Sequence, residues 1–203
     1  MRVGATRTST HAEKPTTACR APVNRVGIST AGRKGTVRDE TAFKDKMVGE
    51  KETLTSFLRF HQDTLLTKLE GLSDAVLSRA MVPSGLSLIG LLKHATYVHA
   101  RWFELCFQDE NPGDLPWPTN EWMLEENETS AGLIEAYHRH VGLARTVVDE
   151  SDLEDLNRGW SGGGYEPGTF NLRWIVVHMI EELARHNGHA DILREQIDGK
   201  TGV

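Results

Sequence analysis

The chain of 203 residues lacks the features of a membrane-spanning, disulfide-rich or fibrous protein. It has two cysteines, Cys19 and Cys106, which are too few for a disulfide framework and require no oxidising compartment. No stretch approaches the roughly 18 consecutive apolar residues of a membrane span. We therefore expect a cytoplasmic protein with no membrane partner.

Charge is divided unevenly along the chain. Residues 1–48 contain ten Lys or Arg and four Asp or Glu, a net charge of +6, so the total of −6 leaves −12 for residues 49–203. The basic segment has no apolar period and is predicted to be a disordered tail. Three explanations for it stay open: a nucleic-acid-binding arm, a transit-like leader, or a mis-assigned N-terminal extension with translation starting at Met47. The acidic segment is predicted to be one domain that does not bind nucleic acid.

Residues 49–203 show the periodicity of helices and no alternating strand pattern. Apolar residues recur there at three- and four-residue spacings, which is the pattern of amphipathic helices. The periodic segments are residues 51–72, 88–105, 130–149 and 172–197. Ser87 and Asn171 are candidate N-caps, and Gly199 is a candidate stop for the last helix. The predicted fold is all-α, an up-down four-helix bundle with long inter-helix loops.

Two polar side chains fall on the apolar side of the last predicted helix. On a wheel of about 100° per residue, Glu182 and His186 lie within or at the edge of the apolar stripe, one turn apart. An unpaired buried carboxylate costs several kcal/mol, so Glu182 needs a cation, a hydrogen-bond donor or a metal. The i, i+4 spacing suits two ligands of one ion, with a third from a facing helix. The alternative is a hydrogen-bonded Glu–His pair that closes the bundle without a metal.

Periodicity alone does not identify the third ligand. The second predicted helix carries His94 and His99, and His99 lies nearer the centre of its apolar face. His178 and His189 lie toward the boundary of the stripe on the last helix. His61, within the stripe of the first helix, is interpreted as a hydrogen-bonded core histidine.

Four segments of the chain carry a resemblance to a known family. They are LIGLLKHA at 88–95, RWF at 101–103, LRW at 172–174 and HMIEELARHNGHAD at 178–191. These segments resemble the DinB-like superfamily, and IDGKTG at 197–202 is similar to its mini-circle branch. The resemblance covers about residues 50–202 and implies a metal-binding four-helix bundle. By the same resemblance, the metal ligands are His94, Glu182 and His186.

The resemblance also implies a type of chemistry. Relatives include thiol-dependent transferases and isomerases, and the maleylpyruvate isomerase branch likewise has a glutamate at the position of Glu182. A divalent metal is implied, zinc in the leading case, with nickel, manganese and iron as alternatives. It would activate a low-molecular-weight thiol or water toward a small-molecule substrate.

Several expectations follow from that chemistry. His178 and His189 are expected to support the ligands or to move protons. The long loops that contain Trp117, Trp122 and Trp160 are expected to close the substrate pocket. The competing function is a non-catalytic metal-binding bundle with a role in stress response or dimerisation. A homodimer is a further expectation.

Overall fold

The computed structural model describes residues 48–111, 120–159 and 165–202. The predicted tail up to residue 47, Trp117 and Trp160 lie outside these residues. The described helices are α1 Glu50–Thr67, α2 Asp74–Leu77, α3 Leu88–His99, the π-helix Ala100–Gln108, α4 Ser130–Glu150 and α5 Leu172–Asp198. Across the three described ranges there is no β-strand, only the isolated antiparallel bridge between Leu156 and Asn171. None of the described helices is long and apolar enough to cross a bilayer.

The long helices form the predicted four-helix bundle around an apolar core. Helix α1 packs on α5, and α3 packs on α4 and on α5, with a smaller contact between α1 and α4. The core is lined by apolar side chains that are withdrawn from solvent, among them Leu58, Leu65, Leu91, Phe103, Tyr137, Ile175 and Met179. Burial of these faces, rather than the local helix preference of each segment, accounts for most of the stability of such helices.

Hydrogen-bonding caps fix the ends of the helices that carry the site. Ser87 Oγ accepts from the backbone N–H of Gly90 at 3.1 Å, and Asn171 Oδ1 accepts from that of Trp174 at 2.9 Å. Both residues were the predicted N-caps. Helix α5 ends at Gly199, whose φ of 78° is the left-handed conformation that glycine adopts without steric cost. The predicted boundaries of α5 are therefore confirmed to within one residue.

Helix α1 ends earlier than its periodicity indicates. The predicted helix continues to residue 72, whereas the α-helix ends at Thr67 and residues 68–71 form turns. The guanidinium of Arg194 on α5 donates to the carbonyl oxygens of Lys68 and Glu70, both at 2.8 Å. Because these carbonyls bond to a side chain of another helix, the chain can leave the α-helical path without leaving them unsatisfied.

The second predicted helix is also interrupted. Residues 88–105 were predicted as one α-helix, but the chain changes to a π-helix at Ala100. Near its end, the carbonyls of Cys106 and Phe107 accept from the backbone N–H groups of Gly159 and Arg158, at 2.8 and 3.1 Å. A Cβ on Gly159 would overlap the carbonyl oxygen of Leu105. The lack of a side chain at Gly159 thus lets the loop after α4 bond to the wide π-helical turn.

Candidate metal centre

Three side chains from α3 and α5 converge on one carboxylate oxygen. Nε2 of His94 lies 3.0 Å from Oε1 of Glu182, and Nε2 of His186 lies 2.9 Å from the same oxygen. One ligand atom from each residue lies within 4.8 Å of the other two. His94 and His186 are buried, and Glu182 is partly buried. The fold therefore brings together the three ligands that the resemblance implies.

A loop residue that the sequence analysis did not single out holds the far side of His94. Oε2 of Glu121 lies 3.1 Å from Nδ1 of His94. The guanidinium of Arg101, at the start of the π-helix, donates to Oε1 of the same carboxylate at 3.0 Å. His94 therefore has a carboxylate oxygen at each of its two ring nitrogens.

The segment 120–128 is fastened to α3 beside the site. A Cβ on Gly90 would overlap the carbonyl oxygen of Trp122, so the absence of a side chain allows this close approach. The ammonium of Lys93, fully buried, donates to the carbonyl of Met123 at 2.7 Å and to Glu128 Oε2 at 2.6 Å. A lysine in the middle of an apolar helix needs an acidic partner. That need is the signal from which this contact could have been inferred.

Trp122 covers the two histidines. Its ring stacks on His94 with centroids 4.0 Å apart and planes 12° apart. It meets His186 edge to face with centroids 5.5 Å apart. The indole shields one face of His94 from water. The electrostatic contacts of His94 with Glu121 and Glu182 are therefore stronger than they would be in bulk solvent.

The electrostatics of the site favour the ligand forms of Glu182 and His186. Burial raises the pKa of Glu182, but hydrogen bonds from His94 and His186 outweigh burial and place it below its usual range. Burial lowers the pKa of His186, although the nearby Glu182 opposes this shift. Near neutral pH the carboxylate is therefore ionised and the imidazole of His186 is neutral, as metal binding requires.

The hydrogen-bonding pattern of His94 fits a metal. Carboxylate oxygens only accept hydrogen bonds, so the contact with Glu121 fits the tautomer of His94 that carries its proton on Nδ1. In that tautomer the lone pair of Nε2 faces Oε1 of Glu182 and would be available to a cation held by the three ligand atoms. Two imidazoles and one carboxylate are a donor set found in catalytic zinc sites.

Comparison with known proteins identifies the family. The family model described as mycothiol-S-transferase matches residues 53–199, which include all three candidate ligands. The chain belongs to the mycothiol-S-transferase family. This family is part of the DinB/YfiT-like superfamily and indicates a thiol-dependent, transferase-like function. No curated protein matches the chain significantly.

In this member of the mycothiol-S-transferase family, His178 lies one turn before Glu182 on α5 and is half-buried among aromatic rings. It stacks on Trp174 with centroids 5.1 Å apart and meets Trp102 edge to face at 4.8 Å. Burial lowers the pKa of His178, an effect that the nearby Glu182 partly opposes. The imidazole is therefore mostly neutral at pH 7 and able to accept a proton.

The other predicted candidates in this family member differ in whether they contact a ligand. His189 is exposed, and its ring meets that of His186 edge to face with centroids 5.6 Å apart. His99 is buried elsewhere, with Nδ1–H donating to the carbonyl of Ala95 at 2.7 Å and Nε2 accepting from Gln62 at 3.1 Å. His99 therefore has no place in the cluster, although it lies nearer the centre of its helix's apolar face than His94 does.

A second buried contact between a glutamate and a histidine was not foreseen. Nδ1 of His140 on α4 lies 2.5 Å from Oε1 of Glu104 on the π-helix. The side chains are 1% and 8% exposed, so this pair is sealed inside the bundle. Nε2 of His140 is buried and has no hydrogen-bond partner within the described ranges.

Proposed function

We propose that this chain is a metal-dependent thiol S-transferase. A divalent cation, zinc in the leading case, is bound by His94, Glu182 and His186, and mycothiol or a thiol of similar size is one substrate. The observation that carries the proposal is the convergence of both Nε2 atoms on Oε1 of Glu182, at 3.0 and 2.9 Å. Membership of the mycothiol-S-transferase family supports the thiol.

In the proposed reaction, a group is transferred from an electrophilic small molecule to the sulfur of the thiol. The thiolate sulfur forms a bond to the electrophilic atom, and the leaving group departs with the bonding electron pair. When bound, the cation would supply positive charge that lowers the pKa of the thiol, so that thiolate forms near neutral pH. The proton released from the thiol needs an acceptor, and His178 is a suitable one because its imidazole is mostly neutral at pH 7.

The remaining groups at the site hold it and limit the access of water. Trp122 covers one face of His94, and the aromatic rings around His178 form an apolar wall. Such surroundings strengthen the attraction between an anionic sulfur and a cation, because water screens it less. His189 is assigned a supporting role on the outer side of His186.

The decisive experiment is metal analysis of the purified full chain followed by a thiol-transfer assay. We expect about one divalent ion per chain, and consumption of an electrophile such as monobromobimane that depends on both mycothiol and the metal. His186→Ala removes one ligand and should lower both metal content and transfer. His138→Ala is the matched control, because His138 is exposed on α4 outside the site.

Each outcome separates the alternatives. Absence of bound metal in the wild-type chain, after addition of zinc, nickel, manganese and iron in turn, would contradict the metal site. Bound metal without thiol transfer would favour the non-catalytic metal-binding bundle. Equal loss of metal from His186→Ala and His138→Ala would point to a general effect on folding.

A further inference from the structure

The carboxylate of Glu121 is placed between a candidate ligand and a fixed cationic group. Its Oε2 lies 3.1 Å from Nδ1 of His94, and its Oε1 accepts from Arg101 at 3.0 Å. The two oxygens are thus used separately, one for each partner. Side-chain exposures of 26% for Glu121 and 34% for Arg101 leave the pair partly shielded from solvent.

Contacts with α3 hold the segment that follows this carboxylate. Trp122, the next residue, rests against α3 where Gly90 has no side chain. The buried ammonium of Lys93 binds Met123 and Glu128 and fastens the segment at a second point. A carboxylate next to two points at which its segment is fastened to α3 is oriented before any ligand arrives, so the ordering cost of metal binding is reduced.

We infer that Glu121 is a positioning residue for His94, with Arg101 holding the carboxylate in the required orientation. Glu121 accepts the Nδ1–H of His94, which keeps Nε2 as the nitrogen available to the ion and fixes the plane of the ring. Carboxylates that bind the second nitrogen of a metal-bound histidine also increase its basicity as a ligand. This inference rests on the proposed metal site and adds a residue and a loop to it.

The two candidate histidine ligands differ in the hydrogen bonding of Nδ1. Nδ1 of His186 is buried and has no hydrogen-bond partner in the described parts of the chain. His186 is oriented by its place on α5 and by Glu182 one turn earlier, whereas His94 has a carboxylate on its outer nitrogen. Loss of the Glu121 carboxylate should therefore weaken metal binding through His94 without abolishing it.

The test compares metal affinities of the full chain and two isosteric variants. Zinc affinity is measured by competition with a chromophoric chelator for the wild type, Glu121→Gln and Glu126→Gln. We expect Glu121→Gln to bind zinc about 10-fold more weakly, because loss of such partners typically costs 10- to 100-fold. Glu126→Gln is the matched control, since it makes the same charge change at an exposed residue of the same segment. Its affinity should stay within about 2-fold of wild type.

A second readout separates positioning from a general effect on folding. Cobalt in place of zinc gives d–d absorption bands that report ligand geometry, and these should shift in Glu121→Gln but not in Glu126→Gln. Arg101→Gln, which leaves Glu121 in place but frees its other oxygen, should give a smaller change of the same kind. Circular dichroism checks that each variant is folded.

Several results would overturn the inference. If Glu121→Gln and Glu126→Gln have equal zinc affinities and equal cobalt spectra while the wild type binds metal, the role of Glu121 is excluded and the proposed function stands. If the wild type binds no metal, both are excluded.

Discussion

Among the described residues, two sites in the bundle bring glutamate and histidine side chains together, and they differ in how many groups meet. At the candidate metal centre, His94 and His186 both direct Nε2 to one oxygen of Glu182. Between the π-helix and α4, Glu104 bonds to His140 alone. The first arrangement offers three ligand atoms from two helices, whereas the second is a single hydrogen-bonded pair of side chains.

The difference shows that a buried Glu–His contact does not by itself identify a metal site. A hydrogen-bonded pair without a third group was the alternative interpretation of Glu182 and His186, and the structure has such a pair at Glu104 and His140. What distinguishes the two is the third side chain, contributed by a helix far away in sequence. Spacing within one helix cannot reveal it.

The largest difference between the two sites is expected in metal affinity. Glu182→Ala removes a ligand, and we expect zinc affinity to fall by more than about 100-fold, because loss of an outer partner alone costs up to that much. Glu104→Ala should leave zinc affinity within about 2-fold of wild type. Chelator competition measures both. Equal losses in the two variants would remove the distinction between the sites.

The second expected effect is on stability and belongs to the sealed pair. Glu104→Ala leaves His140 buried without its partner, and we expect a loss of about 3 to 5 kcal/mol in the free energy of unfolding. The double variant Glu104→Leu with His140→Phe should recover most of this loss, since apolar groups of similar size often replace a buried pair without cost. Urea unfolding of metal-free protein measures both, and a double variant no more stable than Glu104→Ala would contradict the explanation.

His99 is a further buried histidine, without a carboxylate partner among the described residues, and it should make stability depend on pH. Burial lowers the pKa of His99 from 6.5 to about 4. The unfolded chain therefore takes up a proton as the pH falls through 6.5, and the folded chain does so only near 4. The contribution of His99 is fully present above pH 6.5, and about 3 kcal/mol of it is lost by pH 4.

His99→Gln supplies the comparison for this pH dependence, since glutamine does not titrate. Urea unfolding at pH 7, 5.5 and 4 should show a smaller loss of stability in the variant than in the wild type. Parallel curves for the two proteins would contradict the assignment to His99.

The smallest effect is expected from a substitution that loosens the attachment of segment 120–128 to α3. Gly90→Ala places a Cβ against the backbone carbonyl of Trp122, so the segment must shift. We expect a loss of about 2 kcal/mol in stability, typical of overpacking, and weaker zinc binding through the displaced Glu121. Gly142→Ala is the control, because its added Cβ on α4 meets nothing within 4 Å. It should stabilise the protein by about 1 kcal/mol, the helix preference of alanine over glycine.

Much of the fold could be predicted because helical periodicity and capping residues are local properties. The helical wheel predicted that Glu182 and His186 lie within the apolar stripe of α5 or at its edge. In the structure, His186 is buried and Glu182 is partly buried. It could not choose His94 over His99, since both histidines are buried and their partners come from other elements. His99 bonds to Gln62 of α1, a contact that no property of α3 indicates.

The contribution of the loop could not be predicted by the same means. Glu121 lies in an aperiodic segment, so no pattern connects it to His94, and only the buried Lys93 signalled that acidic residues pack there. The pair of Glu104 and His140 was missed because it depends on the π-helix, and an α-helical wheel assigns the wrong angle to residues within such a turn.

The π-helix Ala100–Gln108 makes the length of this segment as important as its composition. Its hydrogen bonds join residues five apart instead of four, so each π-helical turn holds about one residue more than an α-helical turn. This wider spacing sets the angle at which Glu104 faces His140, and it leaves the carbonyls of Cys106 and Phe107 bonded to residues 158–159. Exchanging one residue type for another keeps the spacing, whereas deleting a residue would remove it and disturb both contacts.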